Sequence, residues 1–530
     1  MQLCQVFQTS ILVSIRIIKM LAVLIGLTLT VVACGGGGDT TSETTDTVDS
    51  NAPTITASSN RLLNENSPIV LTFNESIDTA SFSVTGSLFD ESDGGVWSQS
   101  NEIDDTLTLS PTSSWSVNTL RTLTINVSDL TGNVAAEINQ TYDVYKGTLL
   151  YVSSTAADDS GDGLSITNAK ASILNAINSA IAPATVVVTA GAYAVSDTPE
   201  SRIELVADVS LYGGYSADFT TREPKSSVVT SATTYVIHGT GSSVSDTTLI
   251  DGFTLQGPEN AATPTIHLLT EASPTVQNNT IRGNFGIHNQ FASPVIVGNS
   301  FEINSSANTI CTGIFNDNAS PIIQSNIIEI DGTNQLCISG NYGVWNSASS
   351  PIISNNTIDA GFFIGEGIGI YNTASFPVIN DNIIIGGTTI VGNFQSSAGI
   401  YNEASGAVIS NNIIDSGNGG LIESAGIRNV GSSSVILNNI INSTGATTSA
   451  IFVDFSGFGS TRIIGNTLTS SSYCIRETAN SSDVLSLKFN NFKSCGTLYL
   501  DEGVTDITDI SVVNNLADIA EGSDENYISP

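Results

Sequence analysis

The strongest constraint on the fold of this 530-residue chain is a repeat of 20 to 30 residues that fills its C-terminal half. One unit, GIFNDNASPIIQSNIIEIDG from Gly313 to Gly332, contains a Gly-Ile-x-Asn element, a proline, an aliphatic pair and a second asparagine. Repeats of this size are typical of solenoids, in which each unit packs mainly against its two neighbours. The second asparagine recurs at ten positions: Asn279, Asn299, Asn326, Asn356, Asn382, Asn412, Asn439, Asn466, Asn490 and Asn514.

A large apolar residue follows each of these asparagines two positions later, from Ile281 to Leu516. The aliphatic pairs are β-branched, prolines recur at one place in the unit, and no 3.6-residue period survives, which argues against a helical solenoid. We therefore predict a parallel β-helix of about ten to twelve coils. Asparagine suits the repeated position because it tolerates left-handed backbone geometry and bonds its own turn, and stacked amides would form a ladder.

The start of the solenoid contains one predicted helix. In SITNAKASILNAINSA, an apolar stripe from Ile166 to Ala180 favours a helix with Thr167 as its cap. The strand–helix–strand order and the phrases LYGGYSADFTTREP and LIDGFTLQG resemble the N-terminal cap of right-handed parallel β-helices in the pectate-lyase-like superfamily. The resemblance implies that residues 147–530 form such a β-helix.

Residues 51–146 precede the solenoid and have a different pattern. Short apolar or alternating runs such as Ile69–Phe73 and Leu123–Val127, separated by turn signals, predict a small β-sandwich. The segment order, with DLTGN at Asp129–Asn133, resembles bacterial Ig-like domains, which implies a spacer without chemistry. The predicted fold class is all-β: an Ig-like β-sandwich followed by a right-handed parallel β-helix with an N-terminal capping helix.

The N-terminus predicts export. Arg16 and Lys19 precede an apolar run that ends at Ala33, which is typical of a signal peptide over residues 1–33. Val31-Val32-Ala33-Cys34 resembles the lipobox of bacterial lipoproteins, and this implies lipidation of Cys34; an ordinary signal peptide is the alternative. Gly35 in the next position implies the outer membrane, on either of its sides. Residues 34–50 are rich in Gly, Thr, Ser and acidic residues, as in a flexible tether.

Charge narrows the range of partners. Without residues 1–33 the chain has 13 basic and 50 acidic residues, a net charge of −37. Such a surface repels nucleic acid and acidic glycans. Besides the membrane that holds the lipid anchor, we predict a neutral glycan or a surface protein as partner.

Four cysteines remain after the signal peptide and Cys34 are set aside, an even number for an oxidising compartment. The gaps of 26 and 21 residues are close to one repeat, so we predict the disulfides Cys311–Cys337 and Cys474–Cys495 between adjacent turns. Buried free thiols are the alternative.

The variable residue of Gly-Ile-x-Asn is the candidate binding position. Side chains alternate across a strand, so an inward isoleucine places its neighbour on the outer face, aligned with its equivalents on other coils. Rings stack readily on the apolar faces of sugars, and we predict a glycan-binding or adhesive stripe. The alternatives are an internal aromatic stack and an outer stripe of a purely structural protein. The residues are His288, Phe315, Trp345, Tyr371, Tyr401 and Arg428, with Phe452 less securely aligned.

A polysaccharide lyase or glycoside hydrolase is the enzymatic alternative. Lyases of the pectate type need a basic residue, yet no lysine lies between Lys225 and Lys488, and hydrolases need two facing carboxylates, whereas those here are scattered. We assign no catalytic residue and predict no cofactor. His238, His267 and His288 are spaced for adjacent coils but favour ordinary surface positions over a metal site. The acidic loop Asp158–Gly163 lacks the full spacing of a calcium loop and favours a solvated turn.

Overall fold

The computed structural model of the protein describes residues 49–529, except for 196–201, 260–262, 305–309, 331–336, 338–339, 364, 390–395, 420–423, 446–447, 455–459, 479–483, 517–518 and 520. The predicted signal peptide, Cys34 and nearly all of the tether lie outside these residues. From Ala52 onward the chain forms one compact unit. No helix in the described part of the chain is long and apolar enough to span a membrane.

The first domain is a β-sandwich of two four-stranded sheets, as the sequence predicted. In Ile69–Phe73 the inward side chains are buried and alternate with half-buried ones, which gives the period-2 pattern of a strand with one face on a core. One sheet contains Ile55–Ser58, Ile69–Phe73, Val96–Ser98 and Thr106–Leu109, and the other contains Leu62–Asn64, Ser83–Thr85, Asn118–Asn126 and Ile138–Tyr145. A short 3-10 helix spans Phe89–Glu91.

The rest of the chain is a parallel β-helix with three faces. The first face is a fourteen-stranded sheet of Thr148–Val152, Ala184–Thr189, Val209–Tyr215, Leu249–Asp251, Thr275–Gln277, Val295–Val297, Ile322–Gln324, Ile352–Ser354, Val378–Asn380, Val408–Ser410, Val435–Leu437, Thr461–Ile464, Val484–Lys488 and Ser523–Asp524.

The second and third faces belong to one continuous sheet of 23 strands. The second face contains Gly191–Ala194, Ser227–Thr230, Phe253–Gln256, Thr280–Gly283, Ser300–Ile303, Ile327–Ile330, Thr357–Asp359, Ile383–Ile385, Ile413–Asp415 and Ile440–Ser443. The third contains Ile203–Glu204, Ile237–Thr240, Ile266–Leu269, Phe285–Gln290, Ile310–Asp317, Gly340–Ser347, Gly367–Thr373, Ser397–Glu403, Ser424–Val430 and Thr448–Asp454. Thr467–Glu477 and Asn491–Asp501 run along both faces, Thr505–Ile507 pairs antiparallel at the end, and Phe362–Phe363 pairs with Thr388–Thr389 outside the main sheets.

The repeated asparagines form a buried ladder at the corner between the first and second faces. From Asn299 onward, each Oδ1 accepts the backbone and side-chain N–H groups of the preceding asparagine of the ladder, as Asn382 does from Asn356 at 2.8 and 3.0 Å. Nine of the ten predicted residues follow one another in chain order, from Asn279 to Asn490. Asn514 is also bonded as a rung, but out of chain order, because its Oδ1 accepts the backbone and side-chain N–H groups of Asn526 at 3.0 and 2.8 Å. Asn490 pairs with Asn526, which in turn donates to Asn514, because the last turn carries a short helix (Ile510–Val513) before it rejoins the first face.

The prediction that these asparagines adopt left-handed backbone geometry is wrong by one position. The left-handed residue at the corner is the one before the ladder residue, as at Asn355 (φ 56°), Asp381 (φ 58°) and Asn411 (φ 57°). The ladder asparagine itself has to turn its amide inward, where it bonds carbonyl groups of its own and the preceding coil.

The first asparagine of the repeat forms a second buried ladder, on the third face. Asn289, Asn316 and Asn346 donate from Nδ2 to the next residue's Oδ1 at 2.7–2.8 Å, and the series continues through Asn372 and Asn402 to Asn429. The glycine of the motif is explained by packing, because a Cβ at Gly343 would lie 2.3 Å from the Ile358 side chain and 2.6 Å from the Gly369 carbonyl. Neighbouring coils therefore leave room only for glycine.

The capping helix is shorter than predicted. A 3-10 turn spans Ile166–Asn168 and the α-helix spans Ile173–Ser179. The N-cap is Ser172, whose Oγ accepts from the Asn175 N–H at 3.3 Å, and not Thr167. Ile166 is 46% exposed, so the apolar stripe of the sequence joins two separate elements.

The Ig-like domain is packed directly on the first coils of the β-helix through a buried ion network. The Arg222 guanidinium, with no exposed side-chain surface, lies between Asp143 of the Ig-like domain (3.4 Å) and Asp251 of the β-helix. The Asp143 carboxylate also accepts from Arg61 at 2.7 Å and from the Tyr215 hydroxyl at 3.0 Å. The domain is thus fixed to the rod, whereas the sequence suggested only a spacer.

Both predicted disulfides are confirmed. Cys311 bonds to Cys337, with a Cα–Cα distance of 5.6 Å, and Cys474 bonds to Cys495 at 5.4 Å. Each links neighbouring turns of the solenoid, because Cys311 lies on a third-face strand and Cys337 precedes the next one.

Candidate functional site

The outward residues of the third face form one aligned column. Strand register pairs each member directly with the next, as His288 with Phe315, Phe315 with Trp345, and Trp345 with Tyr371. The inward neighbours, such as Ile314, Val344 and Ile370, have no exposed surface. We call this series the ring column: His238, His267, His288, Phe315, Trp345, Tyr371, Tyr401, Arg428, Phe452 and Arg476. It unites all six predicted stripe residues.

The members of the ring column stack on each other along the rod. Ring centroids are 4.9 Å apart for His267 and His288, with planes 12° apart, and 4.8 Å apart for His288 and Phe315, with planes 19° apart. From Phe315 onward the planes tilt: 37° to Trp345, 37° again between Trp345 and Tyr371, and 39° between Tyr371 and Tyr401. The flat stack is therefore limited to His267, His288 and Phe315, because the His238 ring also meets His267 edge-on, at 64°.

Stacking leaves Phe315, Trp345, Tyr371 and Tyr401 half-buried, and Phe452 is buried, with 4% exposure. Trp345, Tyr371 and Tyr401 pack against a buried patch of Tyr342, Ile368 and Ala398, which lie three positions earlier in the same strands. The ring nitrogens His288 Nε2 and Trp345 Nε1 have almost no exposed surface, so edges of these rings are covered as well as parts of their faces. The column is thus an outer structure, and neither an internal stack nor a row of free rings.

Two carboxylates border the tilted centre. The Tyr342 hydroxyl donates to Glu366 at 3.2 Å, and the Tyr371 hydroxyl donates to Glu403. Burial, together with the nearby Glu403 carboxylate, raises the pKa of Tyr371 far above its usual value. Both phenols are therefore neutral hydrogen-bond groups at any physiological pH, and the carboxylates are acceptors held in place by them.

The two ends of the column differ in charge. At the N-terminal end Glu204 bonds His238 Nδ1 at 2.7 Å, and burial with the neighbouring histidines lowers the pKa of His267 to about 4. The His267 side chain is therefore a neutral ring of the stack. At the other end the Arg428 guanidinium lies 4.9 Å from the Tyr401 ring centroid and 5.4 Å from that of Phe452, as in cation–π contacts.

The candidate calcium loop is closed by a lysine. Lys170 Nζ donates to the Gly161 carbonyl at 2.8 Å and to the Asp159 carbonyl at 3.3 Å, while the Asp159 carboxylate accepts from Ser172 and Asn175. The ammonium group of Lys170 thus binds two backbone carbonyl oxygens of this loop.

Several members of the site were missed in the sequence. Tyr342 and Glu366 lie outside the Gly-Ile-x-Asn element, and their proximity depends on coil stacking. His238 and His267 are predicted from the sequence to be ordinary surface residues, although their strand register with His288 makes them the start of the ring column. The signal was available in the spacing of 29 and 21 residues, which matches one coil.

Two sequence profiles match parts of the chain. Residues 42–145 match the family described as bacterial Ig-like domain, and residues 156–336 match the family described as protein of unknown function DUF1565. The first match confirms the nature of the N-terminal domain. Among curated proteins, none matches the chain significantly.

Solved β-helical structures are similar to the chain at low identity. A family 28 exopolygalacturonase from Yersinia enterocolitica is 12% identical, with 85% of this chain and 96% of that chain covered and a TM-score of 0.29. The periplasmic alginate epimerase AlgG is 10% identical (66% and 77% covered, TM-score 0.32), and the enzymatically active domain of bacteriophage CBA120 tailspike protein 2 is 12% identical (78% and 54% covered, TM-score 0.36).

Proposed function

We propose that the protein binds a neutral glycan along the ring column, as a non-catalytic binding or adhesion protein of the cell envelope. The observation that carries this proposal is the unbroken outward column of rings whose planes tilt at Trp345, Tyr371 and Tyr401 beside two carboxylates. Open aromatic surface can contact the C–H face of a sugar, and carboxylate oxygens accept hydrogen bonds from its hydroxyl groups.

The period of the site suits a chain-like ligand. The ring centroids of Trp345 and Tyr371 are 5.8 Å apart and those of Tyr371 and Tyr401 are 5.2 Å apart, which is comparable with the length of one residue in an extended glycan. A glycan lying along the rod would therefore meet one ring per sugar. The self-stacked rings are already ordered, so little side-chain entropy is lost when the ligand binds.

Electrostatics favours an uncharged ligand. The chain has a formal net charge of −35, and Glu366 and Glu403 stand at the centre of the site. A polyuronate would be repelled at low ionic strength, whereas a neutral glycan would not.

We further propose that Cys34 is lipidated and holds the protein at the outer membrane.

Binding is tested with an array of neutral and acidic glycans, followed by calorimetric titration of the best hit. We expect Trp345→Ala and Tyr371→Ala each to weaken binding at least about tenfold, equal to about 1.4 kcal/mol. Phe489→Ala is the matched control, because Phe489 is 50% exposed but lies at a corner away from the column.

Other outcomes decide against the proposal. If no glycan binds, or if the control weakens binding as much as Trp345→Ala, the column is a structural stack without this ligand. Release of sugars from a bound polysaccharide would instead point to the lyase or hydrolase alternative. For the anchor, palmitate labelling that persists in Cys34→Ser would contradict lipidation at that residue.

A further inference from the structure

The first face of the β-helix carries a regular array of exposed aliphatic side chains. Each aliphatic pair of the repeat has one inward and one outward member, and Ile353 is fully buried while Ile352 is 46% exposed. Strand register aligns the outward members over six coils: Val295, Ile322, Ile352, Val378, Val408 and Val435. Four of them, from Ile322 to Val408, are 39–46% exposed. The repeat thus specifies an outer apolar column as well as a core.

Over these six coils the strands of this face carry no charged residue, whereas Asp251 lies on an earlier strand of the face and Arg462 and Lys488 lie on later ones. The second outward column of the same strands is Val297, Gln324, Ser354, Asn380, Ser410 and Leu437, so none of the twelve outward strand positions is charged. Phe376, 64% exposed, lies at the margin over Gly406. Large exposed apolar patches are rare on monomers, and interface centres are depleted in charge.

The other two faces are different. On the second face Glu302, Glu329 and Asp359 follow one another on adjacent coils. On the third, Asp317 and Glu403 stand two positions after the ring column. The first face is therefore where this protein can be covered without burying a carboxylate, which would be costly.

We propose that the first face packs against the same face of a second copy of this chain. A parallel β-sheet face has side chains every ~4.8 Å along the rod, and a second sheet with the same period can place its side chains in the gaps. A two-fold arrangement presents identical patches to each other, so the match in period and in neutrality follows from the symmetry. Partners without this period would not interdigitate.

The size of the face sets the strength of the association. Six coils give a patch of roughly 30 by 15 Å, or on the order of 1,000 Å² buried over both copies, at the lower end of specific interfaces. The dimer should therefore form in the micromolar range. Because both copies are strongly acidic on their other faces, salt should strengthen the association by screening their repulsion.

Sedimentation velocity tests this proposal on residues 35–530, which include the whole compact unit that begins at Ala52. Between about 1 and 200 µM we expect a monomer–dimer transition that moves to lower concentration in high salt. Ile352→Glu should weaken the dimer at least about tenfold, because it places a carboxylate at the centre of the interface. Ile383→Glu is the matched control: Ile383 is 44% exposed but lies on the second face.

The proposal is overturned if the wild-type chain remains monomeric throughout this range at both salt concentrations, or if the two variants weaken dimers equally. Val408→Glu provides a second test of the same face if Ile352→Glu changes the circular dichroism spectrum. Because the ring column lies on the third face, glycan binding should be the same in Ile352→Glu and wild type.

Discussion

The buried asparagine ladder should make a measurable contribution to stability at a single rung. Asn382 is 1% exposed. Its Oδ1 accepts from the N–H and Nδ2 of Asn356, and its Nδ2 donates to the carbonyls of Ile353 and Asn380 and to Asn412 Oδ1, at 2.8 to 3.0 Å. Asn382→Ala removes all five bonds but leaves the backbone of the corner unchanged.

The expected loss follows from the groups that would be left without partners. The Asn356 N–H loses its side-chain acceptor, and the Ile353 carbonyl loses the Asn382 donor, while Asn412 Oδ1 keeps the Asn382 backbone N–H at 2.9 Å. Each buried unsatisfied group costs about 1–3 kcal/mol, so the free energy of unfolding should fall by about 2–5 kcal/mol.

The control is Asn380→Ala, two residues earlier in the same turn. Asn380 is half-buried, and its Nδ2 donates to the neighbouring Asp381 on the surface. This substitution should change stability by less than about 0.5 kcal/mol. Urea unfolding followed by circular dichroism gives the free energies, and hydrogen exchange of peptides covering residues 350–360 reports on the Asn356 N–H. Equal stability of the two variants would refute the reasoning, because the ladder would then make no net contribution.

Three further predictions concern other parts of the rod. Removing the disulfide between Cys474 and Cys495 by a double serine substitution should lower the free energy of unfolding by about 3 kcal/mol, and any remaining effect of reductant should come from Cys311–Cys337 alone; no change in urea unfolding would contradict this. Asp143→Ala leaves the buried Arg222 with fewer partners and should cost about 3–5 kcal/mol, seen as a lower unfolding temperature together with faster proteolysis between the two domains. Because the pKa of His267 is lowered to about 4, the unfolded chain binds more protons between pH 6.5 and 4, so stability should fall as pH drops through this window; His267→Gln should flatten the profile.

Much of the fold was predictable because its signals are local and repeated. In each coil, one asparagine marks the corner and one aliphatic pair shows which side of the strand faces inward. Because the pattern recurs, a wrong assignment in one unit is corrected by the other units. Errors appeared where the repeat ends or is absent. The ladder leaves chain order at Asn514, which follows Asn526, because the last turn contains Ile510–Val513. The stripe from Ile166 is split because a helix and a 3-10 turn share one apolar pattern.

The sequence predicted which central residues form the candidate site, but not how their side chains pack. Strand alternation placed Trp345 and Tyr371 on one outer column, since this needs only the period of a strand and the register of the coils. Their mutual tilt, and the hydrogen bonds of Glu366 and Glu403 to neighbouring tyrosines, depend on side-chain packing between coils.

The sequence by itself determined the solenoid, the Ig-like domain, both disulfides and the central members of the ring column, from His288 to Arg428, because each follows from spacing along the chain. Only the tertiary structure decided that Arg222 joins Asp143 to Asp251 and thereby fixes the two domains together. It also decided that the rings stack on each other, and that six coils of one face of an acidic rod carry no charged strand residue. These features arise from contacts between residues of different coils or domains. Spacing along the sequence does not show which side chains make those contacts.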